Sequence, residues 1–169
     1  AVLRALATGG PRCQQAAGEP ISQWELAHLD SGPGWRESYR TVGQFMTQDL
    51  FTVRPDDIVD FAATLMDWRH VRHVPVEDDS GRLVGLISHR ALLRLVAQGR
   101  VGRDHRVTVA EIMHREPFTV RPDTPTVDVI RLMREKKLAC LPVTQDNRLV
   151  GIVTEHDLIV VAARLLEAY

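Results

Sequence analysis

The stretch Phe51-Thr52-Val53-Arg54-Pro55-Asp56 returns, residue for residue, as Phe118-Thr119-Val120-Arg121-Pro122-Asp123. At the same offset of 67 residues, Val42-Gly43-Gln44-Phe45-Met46 meets Val109-Ala110-Glu111-Ile112-Met113. Leu65-Met66 likewise falls on Leu132-Met133, and Val74-Pro75-Val76 on Leu141-Pro142-Val143. One extra residue in the first copy shortens the offset to 66, after which Arg82-Leu83-Val84-Gly85 falls on Arg148-Leu149-Val150-Gly151. Each copy holds only about 55 residues, a marginal length for burying a core alone. Two copies related by a pseudo-twofold axis are therefore expected to cover each other.

Within each copy the pattern spells β-α-β-β-α. Phe-Thr-Val is a short β-branched strand, closed by Arg-Pro-Asp, whose proline and aspartate are expected to start a helix. Ala62, Leu65 and Met66, like Val129, Leu132 and Met133, recur at helical spacing on one apolar face. A proline-containing strand follows (His73 to Val76, Cys140 to Val143), then a polar turn, then Leu83 to Ile87 or Leu149 to Val153. The glycine within that last strand, Gly85 or Gly151, suits a place where a backbone or a ligand comes close. Closing helices are expected from Ala91 to Ala97 and from Glu155 to Glu167. The expected fold class is α/β (α+β), with a lead-in at 1–41, repeats at 42–98 and 108–169, and a linker at 99–107. Trp24 to Leu29 is a short amphipathic helix candidate in the lead-in.

Composition narrows the function. The 169 residues carry 21 basic and 22 acidic side chains, a balance that argues against a nucleic-acid footprint. No apolar run approaches the ~20 residues of a membrane span. The opening residues, interrupted by Arg4, do not spell a signal peptide. Cys13 and Cys140 are too few for a disulfide framework or a four-cysteine zinc site, so a reducing cytoplasm is expected. The chain begins at Ala1 rather than methionine, as a processed protein or a piece of a longer one would.

The duplicated units, with their Phe-Thr-Val-Arg-Pro-Asp entry, Pro-Val strand, Leu-Val-Gly-Ile-Val strand and Thr154-Glu155-His156-Asp157, resemble a tandem pair of CBS domains, or Bateman module. The resemblance runs from about Val42 to Leu166. The segment through Ser38-Tyr39-Arg40 also resembles the lead-in of CBS pairs attached to carboxylate-amine ligases of the glutamate–cysteine ligase type. That likeness places a catalytic part upstream.

The family resemblance implies adenosine ligands in clefts between the repeats, with a Ser/Thr-x-x-Asp signature where the last strand enters the last helix. A threonine hydroxyl and free helix amides suit a phosphate, and an aspartate suits two ribose hydroxyls. In repeat two these are Thr154 and Asp157; repeat one reads Ser88-His89-Arg90-Ala91, without the acid. Thr-x-x-Asp is equally close to a capping box, and both readings stand at this point. Arg72-His73, opposite Ala139-Cys140 in the alignment, resembles the basic pair that neutralises a phosphate in nucleotide-binding members. A solvated surface arginine is the plainer reading of Arg72. The backbone around Thr119 and from Ala139 to Leu141 is expected at the adenine edge. One competent and one degenerate cleft follow, the competent one with room for one or two phosphates.

Other groupings point elsewhere less directly. His70 and His73 lack an acidic or cysteine companion for a metal. Cys140 reads as a buried filler, and His156 as an exposed helix residue. Trp24, Trp35 and Trp68 are either dimer anchors or intrachain packing. No nucleophile, base and orienting group assemble into an enzyme site. The expected function is a regulatory module that senses AMP, ADP, ATP or S-adenosylmethionine and modulates a linked or partner enzyme domain as a homodimer, without nucleic acid, membrane or catalytic cofactor. The alternative is a ligand-free structural dimerisation module.

Overall fold

A computed structural model describes residues 39–100 and 106–167. The helix expected at Trp24 to Leu29, together with Cys13 and Trp35, lies outside the described residues. Repeat one contains α1 (Val59–Trp68), β1 (His73–Glu77), β2 (Leu83–Ser88) and α2 (His89–Ala97). Repeat two opens with α3 (Val109–Ile112) and β3 (His114–Arg115). It continues with α4 (Thr126–Lys136), β4 (Cys140–Gln145), β5 (Arg148–Thr154) and α5 (Glu155–Glu167). The sheets are small and antiparallel, ordered β1-β2-β3 and β4-β5, so the fold is the mixed α+β pair that the duplication implies. Among the described residues no helix is long and apolar enough to cross a membrane.

The repeats are joined by exchanging their entrances. His114 and Arg115, at the start of repeat two, pair with Leu86 and Gly85 of repeat one. Thr47, the counterpart of His114, exchanges hydrogen bonds of 3.0 and 2.9 Å with Ile152 of repeat two. The packing follows the same exchange. Val109, Ile112 and Met113 belong to the core of Val53, Ala62, Leu65, Met66, Val74, Val76 and Ile87. Val42, Phe45 and Met46 belong to the core of Val120, Val129, Met133, Leu141, Val143 and Val153. Val42 and Val109 are wholly buried, each contributing roughly 1.5–3 kcal/mol of apolar transfer to the other repeat's core. The two hairpins also touch at equivalent positions, Arg82 against Arg148.

Two local expectations change. The Phe-Thr-Val segments form single parallel bridges, Val53 to Val76 and Val120 to Val143, rather than strands. Val53 N–H donates to the Pro75 carbonyl at 3.1 Å and its own carbonyl accepts from Glu77. Pairing then stops, because Pro55 has no N–H and Arg54 and Asp57 close a turn. Asp56 and Asp123 do not cap the following helices either. α1 and α4 start later, at Val59 and Thr126, with Ile58 and Pro125 at the N-cap. Their first amides are satisfied by the exchanged entrances: Val59 N–H donates to the Val107 carbonyl at 3.0 Å and Thr126 N–H to the Arg40 carbonyl at 2.9 Å.

The hairpin turns differ because their chemistry differs. Asp146 and Asn147, both at positive φ, make the tight turn between β4 and β5. In repeat one the longer turn is organised by Asp78, whose Oδ1 accepts from Ser80 N–H, the Ser80 hydroxyl and Arg82 N–H. These bonds hold the Asp78 carboxyl below its ordinary range.

Candidate ligand site

In repeat two the end of the β4–β5 hairpin collects most of the expected residues. Cys140 pairs with Thr154, and Leu141 with Val153, at the strand ends. Glu155 N–H donates to the Ala139 carbonyl at 3.1 Å, fastening the start of α5 onto the start of β4. Val120 N–H donates to Pro142 at 3.1 Å, which brings its neighbour Thr119 alongside. Thr119 is exposed and Ala139 half-buried. The Leu141 side chain is fully buried in the second core, so it lies beneath this end as a floor.

Thr154 and Asp157 form a closed pair. Both the Thr154 N–H, at 2.8 Å, and its hydroxyl, at 2.7 Å, donate to Asp157 Oδ2. Asp157 N–H donates back to the Thr154 hydroxyl at 3.4 Å. This is a capping box at the start of α5, so the capping reading holds in the unliganded chain. It leaves the carboxylate half-buried, with both described bonds to it on Oδ2 and none on Oδ1. The same device closes the repeat entrances, where Thr41 N–H donates to Gln44 Oε1 at 3.0 Å and Thr108 N–H to Glu111 Oε1 at 2.9 Å. Cys140 lies close enough to Asp157 to feel it. Burial first, and the carboxylate second, push its thiol up to about 12.

The matching end of repeat one has the same backbone and the opposite charge. His73 pairs with Ser88, and His89 N–H donates to the Arg72 carbonyl at 3.0 Å. Ser88, at the N-cap of α2, makes no side-chain cap bond, and the first turn holds no acid. The His73 and His89 rings meet edge-to-face with centroids 6.4 Å apart. Burial, followed by the charges of His89, Arg90 and Arg72, holds His73 down to about 4. His89 Nδ1 is buried without a hydrogen-bond partner. No described hydrogen bond or ion pair links Arg72 or His73 to Asp157. His89 and Arg90, beyond the missing carboxylate of Ser88-His89-Arg90-Ala91, add to the basic end of repeat one. They fold back beside Arg72-His73.

Elsewhere, a cavity of about 420 Å3 opens at the turn end of the first hairpin, lined by Thr52, Arg54, Asp57, Phe61 and Glu77 among others. None of the seven expected residues lines it, and much of its polar lining is committed internally, with Arg54 N–H on Asp57 and Arg54 paired with Asp79. His70 sits at positive φ beyond α1, and no group of metal-ligating side chains forms among the described residues.

Comparison with known proteins agrees with this architecture. The CBS domain family matches residues 42–98 and 109–164. The chain belongs to the CBS domain family, as a tandem pair. The crystal structure of CBSX2 in complex with AMP, from Arabidopsis thaliana, superposes with a TM-score of 0.67 at 35% identity, covering 75% of this chain and 98% of that one. The CBS domain pair of protein MJ0100, in complex with 5′-methylthioadenosine and S-adenosyl-L-methionine, gives 0.65 at 28% identity, covering 75% and 95%. The inosine-5′-monophosphate dehydrogenase of Methanocaldococcus jannaschii is 27% identical over 124 residues, covering 73% of this chain. The chain spans only 24% of that enzyme's length.

Proposed function

We propose that this chain is a regulatory module without catalysis of its own, which binds one adenosine-type ligand (AMP, ADP, ATP or S-adenosylmethionine) and modulates a linked or partner enzyme. The observation that carries the reading is the Asp157 carboxylate, fixed at the first turn of α5 beside Thr154 with Oδ1 taking no described bond. A ribose diol can donate to such a carboxylate, and a phosphate can take the threonine hydroxyl and the first helix amides. Thr119 and the backbone of Ala139 to Leu141 supply the adenine edge. Arg72 of repeat one supplies positive charge for phosphate, and His73, held neutral by its burial, a hydrogen-bonding ring beside it. The other cleft, with Ala91 in the aspartate's place and Cys140 in that of His73, is the degenerate one. Relatives in complex with AMP, and with methylthioadenosine and S-adenosylmethionine, support the ligand class. An enzyme among the relatives supports the attachment to catalysis.

Self-association goes with this reading. Apolar side chains stand exposed on all four long helices: Phe61 and Trp68, Leu93 and Val96, Val127 and Ile130, Ile159 and Leu166. Such faces favour a homodimer, and they also support the second reading, a dimerisation module with no ligand. Thermal shift with AMP, ATP and S-adenosylmethionine separates the two. A ligand that binds the folded chain raises the melting temperature by mass action, and Asp157→Ala removes that rise. A dimer that persists on dilution while none of the three ligands moves the melting temperature establishes the second reading instead.

A further inference from the structure

α5 is lightly held. Val161 is its one buried residue, while Ile159 and Leu166 stand 64% and 76% exposed. Leu158 packs partly against the second core and Glu155 N–H is fastened to the Ala139 carbonyl. Two side-chain fastenings complete the seating. At the N-terminus Asp157 closes onto Thr154. Seven residues later, on the same face and about 10 Å along the axis, Arg164 Nη1 donates to the Tyr39 hydroxyl at 2.8 Å.

Tyr39 is the first described residue of the chain as it comes in from the N-terminal side. Its carbonyl accepts from the Thr126 hydroxyl at 2.6 Å. Thr126, 7% exposed, also donates its N–H to the next carbonyl, Arg40. The incoming chain is thus tied to α4 by its backbone and to α5 by the Tyr39 side chain. Repeat one has the equivalent backbone tie, Val59 N–H to the Val107 carbonyl, but not the same side-chain one: Tyr39 and Arg164 correspond to Arg106 and Gln98, and there Arg100, just past α2, pairs with Glu111 at 3.0 Å instead. Only in the half that owns the carboxylate does the described contact run from within the closing helix itself to the incoming chain.

We infer that the Tyr39–Arg164 contact transmits the state of the Thr154–Asp157 turn, through α5, to the chain that enters at Tyr39. The trigger rests on the ligand reading above, since ligand hydroxyls compete with Thr154 for Asp157 and shift the seating of α5. The contact itself is a property of the unliganded chain. A ligand acts this way only through interactions that differ between the two seatings.

Amide hydrogen exchange of the segment 39–47 in the full chain tests the inference, with Asp157→Ala and AMP as separate triggers. Asp157→Ala is expected to change exchange there about fivefold in the otherwise native chain. In Tyr39→Phe, and again in Arg164→Met, the same trigger is expected to change it by less than about twofold, the range of independent sites. Equal responses in all three backgrounds, no response in the native background, or disagreement between Tyr39→Phe and Arg164→Met overturns the inference. AMP should reproduce the native response and, because coupling is reciprocal, bind Tyr39→Phe with affinity changed by a similar factor, about fivefold. AMP that binds yet leaves segment 39–47 unchanged overturns the inference; failure of AMP and the other adenosine ligands to bind the native chain refutes the ligand reading, and the Asp157→Ala arm then decides the inference alone.

Discussion

Met46 of the first repeat fills the space that a side chain on Gly151 of the second would occupy. Met113 does the same for Gly85, where an added Cβ would lie 2.5 Å from its sulfur. The glycines in the last strands are there to receive the methionines of the exchanged entrances. Gly151→Ala is expected to destabilise the chain by roughly 1–3 kcal/mol through overpacking. Met46 must shift to make room, so Gly151→Ala combined with Met46→Ala should cost less than the sum of the two single changes. Urea unfolding of the four chains of that cycle provides the check. Strict additivity would contradict the contact.

His73 predicts a pH dependence whose sign is fixed by its environment. Its folded pKa, about 4, lies below the ordinary 6.5, so the unfolded chain binds the proton more readily. The stabilisation from keeping it neutral is present above pH 6.5 and is lost as pH falls toward 4. Its size, discounted for a ring that keeps some contact with solvent, is roughly 2 kcal/mol. Comparing urea midpoints of the native chain and His73→Gln from pH 7.5 to 4 isolates this contribution. The two curves should converge through that window, whereas Asp78 and Glu111, both held low by hydrogen bonds, lose their contributions only from the acid end of the window downward.

Burial and the neighbouring Asp157 keep the Cys140 thiol protonated at neutral pH. In a Cys13→Ser chain, Cys140 should therefore react with a disulfide reagent at pH 8 far more slowly when folded than when unfolded. Reaction at the unfolded rate would show that β4 is open at that end.

The two helix starts differ by a single carboxylate. Ala91→Asp should give Ser88 the partner that Thr154 already has, raising stability by about 0.5–1 kcal/mol through a new cap. The positive charges of Arg72 and Arg90 favour that acid. Chemical denaturation is the measurement, and a destabilised Ala91→Asp would mean that α2 does not begin as α5 does.

The duplication, both hairpins, the helix faces and the closing helices are legible in the sequence because each rests on local spacing. The exchange of entrances is not. Val42 and Val109 occupy equivalent positions, so packing within a repeat and packing across repeats leave the same local pattern. For the same reason the local sequence puts the helix starts at Asp56 and Asp123. Their true partners are the carbonyls of Val107 and Arg40, supplied by the other repeat. At the candidate site, Thr154 and Asp157 could be found but their two readings could not be separated, since one arrangement of hydroxyl, amide and carboxylate serves both a cap and a diol. Arg72-His73 is legible as a basic pair, but the part of His89 and Arg90 in the same end is not, because only the β1–β2 pairing brings the two pairs together.

Calorimetric titration of AMP into the native chain, Asp157→Ala and Arg72→Ala tests the ligand site most directly. One ligand per chain is expected, with affinity reduced roughly 100-fold in Asp157→Ala, where charge-assisted hydrogen bonds are lost. A smaller loss is expected in Arg72→Ala. Two equivalent sites per chain, or native affinity in Asp157→Ala, would contradict the assignment of the ligand to the second repeat's carboxylate.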